Sequence, residues 1–284
     1  MADGSNSEWV SAGGDNTVGQ KHQHRSRCRP CKVEGLSQMW NLYDQLIATV
    51  PVNLKVKDCL AGLNWFLVRS RGVGVAMRPL EGAGALRRAG HLRSMKLRDL
   101  AAWVKSWNAY EAAMGLAAIN SAINAPEMMR RNWGVRLKQS REEDVFTSLR
   151  EQMRGKKVAV IGHFQGLERL AELCRLSILE RRPQAGDLPD WASEYVLDHQ
   201  DVVIMTASAL INKTLPRLLA LSEGAQIVLA GPSTPMHPLL FDHGVHVLGG
   251  LLVEDDDNVW HTVAEGGQKE LFSAGSRVVT IERA

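Results

Sequence analysis

The sequence predicts an α/β protein: a doubly wound, parallel sheet fills the C-terminal half and a smaller α+β region precedes it. The run Lys157-Val158-Ala159-Val160-Ile161-Gly162-His163-Phe164-Gln165-Gly166 is an apolar strand that breaks at a glycine and passes into a helix. Nucleotide- and cofactor-binding α/β domains open in this way. Further apolar runs follow at Leu176–Glu180, Val202–Thr206, Ile227–Ala230, Val245–Leu248 and Val278–Ile281. With helices between most of them, this alternation favours parallel pairing. Ahead of residue 140 the order differs, with one helix, then strand-like runs, then further helices.

The elements follow in order. Residues 1–33 are rich in Gly, Ser, Asn, His and Arg and poor in aliphatics, so they are expected to stay disordered. An amphipathic helix is expected from Leu36 through Ile47, stopping before Pro51. Val52–Ser70 and Val73–Pro79 read as strands around an Arg71-Gly72 turn. Gly82, Gly84 and Gly90 mark a flexible loop. Leu97, Leu100, Ala101 and Val104 form a helical stripe. Asn108 with Glu111 opens a helix carrying Ala112, Leu116, Ile119 and Ile123 on one face. Pro126–Gln139 reads as a basic, irregular connection. Ser140 with Glu143 is a capping box for a helix that ends near Met153 at Gly155. Three regions result: a tail at 1–35, an α+β domain at 36–139 and an α/β domain at 140–284.

Composition narrows the classes. The chain has 284 residues, 45% of them hydrophobic, enough for a full core in one or two domains. A net charge of +3 does not argue for nucleic acid as a partner. No apolar run reaches the ~20 residues of a membrane span, and no signal peptide is read at the start. Four cysteines without secretory features point to a reducing cytoplasm.

The candidate site lies at the strand ends, because ligands of open α/β sheets bind outside the carboxyl ends of the strands. The first turn offers Gly162, His163 and Phe164, and the second Glu180-Arg181-Arg182. The third offers Thr206 and Ser208, with Asn212 and Thr214 at the helix behind it. The fourth offers Gly231, Ser233 and Thr234. Glycines admit a ligand to the backbone, while hydroxyls and helix N–H groups hold anions; the same hydroxyls also serve as ordinary helix caps. Glu180 stands about 20 residues past the first turn, where a dinucleotide-binding fold keeps its ribose acid, yet the G-x-G-x-x-G fingerprint is absent. His163 is a candidate metal ligand or proton carrier, and His237 and His243 could face the same crevice. Asp190 reads as a helix N-cap, and Asp255-Asp256-Asp257 as a solvated helix start. In the tail, His22, His24, Cys28 and Cys31 form a weaker soft-metal set. Cys59 and Cys174 read as core. Trp65, Trp103, Trp107 and Trp133 read as packing residues, and Asn108, Glu111 and Arg130 could face the second domain across a cleft.

Several motifs together resemble one family. They are Val158–Phe164, Leu179–Pro183 with Asp187-Leu188-Pro189-Asp190, Ala209–Thr214, Gly231–Pro238 and Leu240–Val245. The chain resembles the heavy-metal chelation proteins, a family built on a domain of unknown function. Met95–Asn120, with Lys105-Ser106-Trp107-Asn108 and Gly115–Asn120, resembles the enolase-N-terminal-like domain that precedes it. The likeness runs from about Leu36 to Ile281. It implies a Rossmann-like parallel-sheet domain behind a smaller α+β enolase-N-terminal-like domain, with a cleft between them. It also implies a role in handling heavy metals or a metal-bearing small molecule. The tail is additional to this pattern, and Thr206-Ala207-Ser208-Ala209 replaces a turn richer in glycine and threonine.

The leading functional expectation is a cytoplasmic protein that binds a transition metal ion or metal chelate in the cleft. An alternative is a transferase-like enzyme acting on a nucleotide-like substrate or cofactor, with Glu180 on a ribose. Another is a non-catalytic regulatory or scaffold protein. Catalytic residues are not assigned. The expected partners are a small-molecule or metal-chelate ligand and a second copy of the chain, with no nucleic acid and no membrane.

Overall fold

Leu36–Ala48 forms α1, burying Leu42, Tyr43 and Leu46 and ending ahead of Pro51, which disfavours helical backbone at the residue before it. The protein is described here from a computed structural model that covers residues 36–80, 85–134, 137, 144–164 and 166–283, with residues 36–39 by backbone alone. His22, His24, Cys28, Cys31, Gly82, Gly84, Ser140, Glu143 and Gln165 lie outside the described residues.

The expected strand at 52–70 divides in two. Gly62-Leu63-Asn64 turns the chain between β1 (Asp58–Ala61) and β2 (Trp65–Arg69), and the turn at Arg71-Gly72 leads to β3 (Val73–Met77). The three pair antiparallel in the order β1-β2-β3. Next come α2 (Leu97–Ala101), a 3-10 turn (Ala102–Lys105) and α3 (Ala109–Ile123). Asn108 caps α3 by accepting from the N–H groups of Tyr110 and Glu111. Glu111 does not reach back to complete the cap. It is buried and accepts from Ser106 Oγ and Arg87 Nε. Burial alone would raise its pKa, but these two donors hold it below the ordinary value. Arg87→Ala is therefore expected to cost about 2 kcal/mol, below the loss for a fully buried pair because Arg87 itself is in water. Urea unfolding of the variant checks this.

α3 is buried along its whole length from Glu111 to Ile123. It can lie this close to its neighbours only because glycine stands at two crossings. A Cβ on Gly74 would sit 2.1 Å from both Ala117 O and Ser121 N, and one on Gly115 would sit 2.1 Å from Val104 N. The stretch after Pro126, expected to be irregular, is a helix, α4 (Pro126–Trp133). Proline at its first turn suits a helix start, and Met129 and Trp133 anchor it in the core. The basic residues that suggested a loop line its exposed face.

Asp144 caps the next segment by accepting from Phe146 N and Thr147 N. This segment is two short turns, α5 (Val145–Ser148) and α6 (Arg150–Met153), and Gly155 follows at φ +73°. The large sheet has seven strands: β4 (Lys157–Ile161), β5 (Arg175–Glu180), β6 (Leu188–Pro189), β7 (Val202–Thr206), β8 (Gln226–Ala230), β9 (Val247–Val253) and β10 (Ser276–Glu282). Their order is β10-β9-β8-β7-β4-β5-β6. All neighbours are parallel except β9 and β10, and α7 (Leu167–Ala171), α8 (Ser193–Val196), α9 (Ser208–Asn212), α10 (Leu215–Leu221), α11 (Leu239–Asp242) and α12 (Asp256–Ala264) lie between the strands in sequence. From β4 the chain builds outward to β6, then crosses back to β7 on the other side of β4. That reversal is the topological switch point where such sheets bind ligands.

The strand expected at Val245–Leu248 begins later and runs on through Gly249-Gly250. These glycines look like a turn in sequence. In the fold they are close approaches: a Cβ would meet Val145 Cγ1 at 2.2 Å or Met236 Sδ at 2.5 Å. Asp190 caps nothing; it opens a 3-10 turn behind Pro189, and its carboxylate accepts from Arg181 Nε at 3.4 Å. Of the three consecutive acids, Asp255 caps α12 (Asp256–Ala264). Asp256 accepts from Val73 N at 3.2 Å and Asp257 pairs with Arg69 at 2.9 Å, so they tie the helix to the N-terminal region rather than only facing water.

Further bonds set the small domain over the ends of β8 and β9. Asn120 Nδ2 donates to Val75 O and Ser233 O, both at 2.9 Å. Asn124 Nδ2 donates to Thr234 O and its Oδ1 accepts from Met236 N, again at 2.9 Å. Trp133 Nε1 donates to Met236 O at 3.1 Å. This docking leaves the ends of β4, β5 and β7 open.

Candidate functional site

A cleft of about 1100 Å³ opens at those three strand ends. Its floor comes from Ile161, Gly162, Leu179 and Thr206. The small domain adds Met77, Arg78, Leu80, Trp107 and Asn108 to its lining. Gly162 has φ +98°, and a Cβ there would press on Thr206 at 3.0 Å, so glycine lets the first turn cross the end of β7.

One pole of the cleft is built on His163. Its Nδ1 lies 3.2 Å from Asp187 Oδ2. The Asp187 side chain is only 3% exposed and also accepts from Gln184 N at 2.9 Å. A carboxylate can only accept, so Nδ1 carries the proton and the lone pair of the neutral ring is left on Nε2. A carboxylate behind a histidine is the arrangement that orients imidazoles as metal ligands. Glu180 braces the same turn: Oε2 accepts from His163 N at 2.8 Å, and Oε1 from Arg181 N at 2.7 Å and Arg182 N at 3.3 Å. Three main-chain donors thus occupy the acid that a ribose would use.

The other pole is cationic. Lys213 follows α9 (Ser208–Asn212) at φ +63°, a left-handed backbone costing roughly 1 kcal/mol or more in a non-glycine residue. It is 7% exposed. Its Nζ donates to Ile211 O at 2.8 Å and to Ser106 O, and lies 6.0 Å from the Trp107 ring centre. Arg78 donates to Tyr110 Oη at 3.0 Å and lies over that ring. Neither has a carboxylate partner among the described residues. Arg181 and Arg217 are paired, with Asp190 and Glu194 respectively.

Burial lowers the Lys213 pKa from 10.5 to about 8. Between those values the unfolded chain holds the proton and the folded chain does not, so stability should rise with pH across that window. Urea midpoints of wild type should accordingly gain on those of Lys213→Met as pH passes from 8 toward 10.

The structure sorts the sequence candidates. Gly162, His163, Phe164, Glu180, Thr206, Ser208 and Asn212 line the cleft together. Gly231, Ser233 and Thr234 do not. Ser233 and Thr234 are 2% and 0% exposed, because β3 and α3 dock on that turn, and Ser233 Oγ accepts from Met77 N at 2.8 Å. Asn212 ends α9 instead of capping a helix, and Thr214 lines the cleft with no side-chain cap bond to α10 (Leu215–Leu221). His237 and His243 lie away from it: His237 Nδ1 accepts from Leu239 N, and His243 Nε2 meets Gln45 Oε1 at 2.9 Å. Burial lowers both of their pKa values against the pull of Asp242. Trp65, Trp103 and Trp133 are core, whereas Trp107 is 74% exposed. Arg130 is exposed and outside the cleft. Cys59 and Cys174 are half-buried free thiols, with Cys59 pushed up to about 12 by burial and then by Asp58.

Sequence reasoning passed over Arg78, Asp187, Trp191, Lys213 and Arg217 as site residues. A pair such as His163 and Asp187 is joined only by the return of the chain to β6, and a left-handed lysine has no local sequence mark.

Among the described residues, no three or more His, Cys, Asp or Glu side chains gather as a metal cage. With Arg and Lys dominating the cleft, the donor set does not fit a bare cation. No helix of the described residues is long and apolar enough to cross a membrane.

Comparison with known proteins agrees with this architecture. Two family profiles match, DUF364 over residues 144–282 and DUF4213 over residues 43–123, both described as "Putative heavy-metal chelation". A crystal structure of a DUF364 protein of unknown function from Desulfitobacterium hafniense DCB-2 is 37% identical, with a TM-score of 0.80, covering 87% of this chain and 100% of that one. A second DUF364 structure, from Pyrococcus horikoshii, shares the fold at 22% identity and TM-score 0.73, covering 86% of this chain and 99% of that one. No curated protein matches the chain. A Rossmann-like sheet with this order, set behind a small α+β domain and matched across nearly its whole described length, places the chain in the DUF364 family.

Proposed function

We propose that this protein binds an anionic metal chelate in the cleft, with His163 Nε2 as the single protein nitrogen offered to the chelated metal. The observation that supports this most is the His163–Asp187 pair at 3.2 Å, set in a cleft whose other charged groups are mostly cationic. A chelate brings its own oxygen or nitrogen donors, so one histidine suffices where a bare ion would need three or four ligands. Its net negative charge suits Arg78 and Lys213. The family description is consistent with such a ligand. We place the protein in the cytoplasm, in keeping with its free thiols, and expect a homodimer.

Isothermal titration with nickel, cobalt and copper, each free and as the nitrilotriacetate complex, tests the proposal. Complexes are expected to bind wild type, and His163→Ala to lose at least about tenfold in affinity. Tighter binding of the free ions, or an unaffected His163→Ala, would count against it. Stabilisation by nucleotides alone, without a metal effect, would select the transferase-like reading instead.

A further inference from the structure

We propose that the cleft has a second recognition pole, made by Trp107, Arg78 and Lys213, that takes a planar organic carboxylate; this rests on the reading of the cleft as the ligand site. The two cations lie beside the start of α3: Lys213 Nζ donates to Ser106 O, and Arg78 donates to Tyr110 Oη. Neither meets a carboxylate among the described residues, while their neighbours Arg181 and Arg217 do. Lys213 is 7% exposed, and a buried ammonium held only by neutral carbonyls is costly until an anion arrives. Its main-chain partners fix it in place, so it is organised before any ligand enters.

The aromatic part has its own support. Trp107 is 74% exposed and Trp191, from the sheet domain, 69% exposed, and both line the cleft. Trp107 meets Trp40 edge to face, with ring centres 5.8 Å apart, and Lys213 Nζ lies 6.0 Å from its ring centre, yet at 74% exposure most of its surface is open to a ligand. Tryptophan at the lip of a charged cleft favours a flat, conjugated body over an aliphatic one. Carboxylate is the anion that fits the whole cleft. It pairs with guanidinium and ammonium groups and also serves as a donor to a metal held at His163.

The test uses pyridine-2,6-dicarboxylate without metal, followed by tryptophan fluorescence and titration calorimetry on the full chain. Neutral pyridine, nitrilotriacetate and phenyl phosphate serve as comparison ligands. The dicarboxylate is expected to bind wild type at least about tenfold more tightly than any of these. Arg78→Gln should weaken it about tenfold. Trp107→Ala, at an exposed position, should weaken the dicarboxylate but not nitrilotriacetate. Lys213→Gln should lose it while circular dichroism stays unchanged; if that variant does not fold, the Arg78 and Trp107 variants decide. Equal binding of pyridine or nitrilotriacetate, stronger binding of phenyl phosphate, or indifference to Arg78→Gln and Trp107→Ala would overturn the proposal. Binding of metal complexes through His163 with no metal-free binding would overturn this pole alone. Metal-free binding at this pole with metal complexes indifferent to His163 would uphold it and overturn the chelate reading.

Discussion

Gly74→Ala should destabilise the protein by more than about 3 kcal/mol. The added Cβ would stand 2.1 Å from Ala117 O and Ser121 N. Both atoms are backbone of α3, so no rotamer change relieves the clash. The helix cannot retreat either, since every residue from Glu111 to Ile123 is buried and Asn120 is bonded to both Val75 O and Ser233 O. Overpacking commonly costs about 1–3 kcal/mol where side chains can adjust, and here β3 must part from α3. The urea midpoint should fall with little change in the slope. A loss below about 1 kcal/mol would show that the contact between β3 and α3 is looser than described.

Asp187→Asn should weaken metal-chelate binding about 10- to 100-fold while leaving the melting temperature near that of wild type. As a carboxylate, Asp187 accepts from His163 Nδ1 and Gln184 N. Both bonds fall on one oxygen, Oδ2, so an asparagine that keeps its oxygen there preserves the hydrogen bonds and removes only the negative charge behind the imidazole. Without that charge the imidazole is a less basic ligand, and Nε2 holds a metal more weakly. Titration with a nickel chelate reads the affinity, and a melting curve separates this charge effect from unfolding.

The large sheet was legible because parallel strands buried on both faces read as unbroken apolar runs; Lys157–Ile161 and Val202–Thr206 stand out in this way. β6 was not, since a two-residue edge strand containing Pro189 carries no pattern. Gly249 and Gly250 hid the length of β9 because close packing and turning ask for the same residue. Residues of the first and third strand-end turns, His163 and Thr206 among them, line one cleft. The fourth was not separable from them, because what covers Ser233 and Thr234 is α3, more than a hundred residues away in sequence. Lys213 and Arg78 meet at the cleft only through the tertiary fold.

The most direct measurement is anomalous diffraction from crystals grown with a nickel or cobalt carboxylate chelate. A metal peak is expected within bonding distance of His163 Nε2, with the carboxylates of the chelate directed toward Lys213 and Arg78. A peak at other histidines with the cleft empty, or an ion in the cleft bound without its chelator, would contradict this.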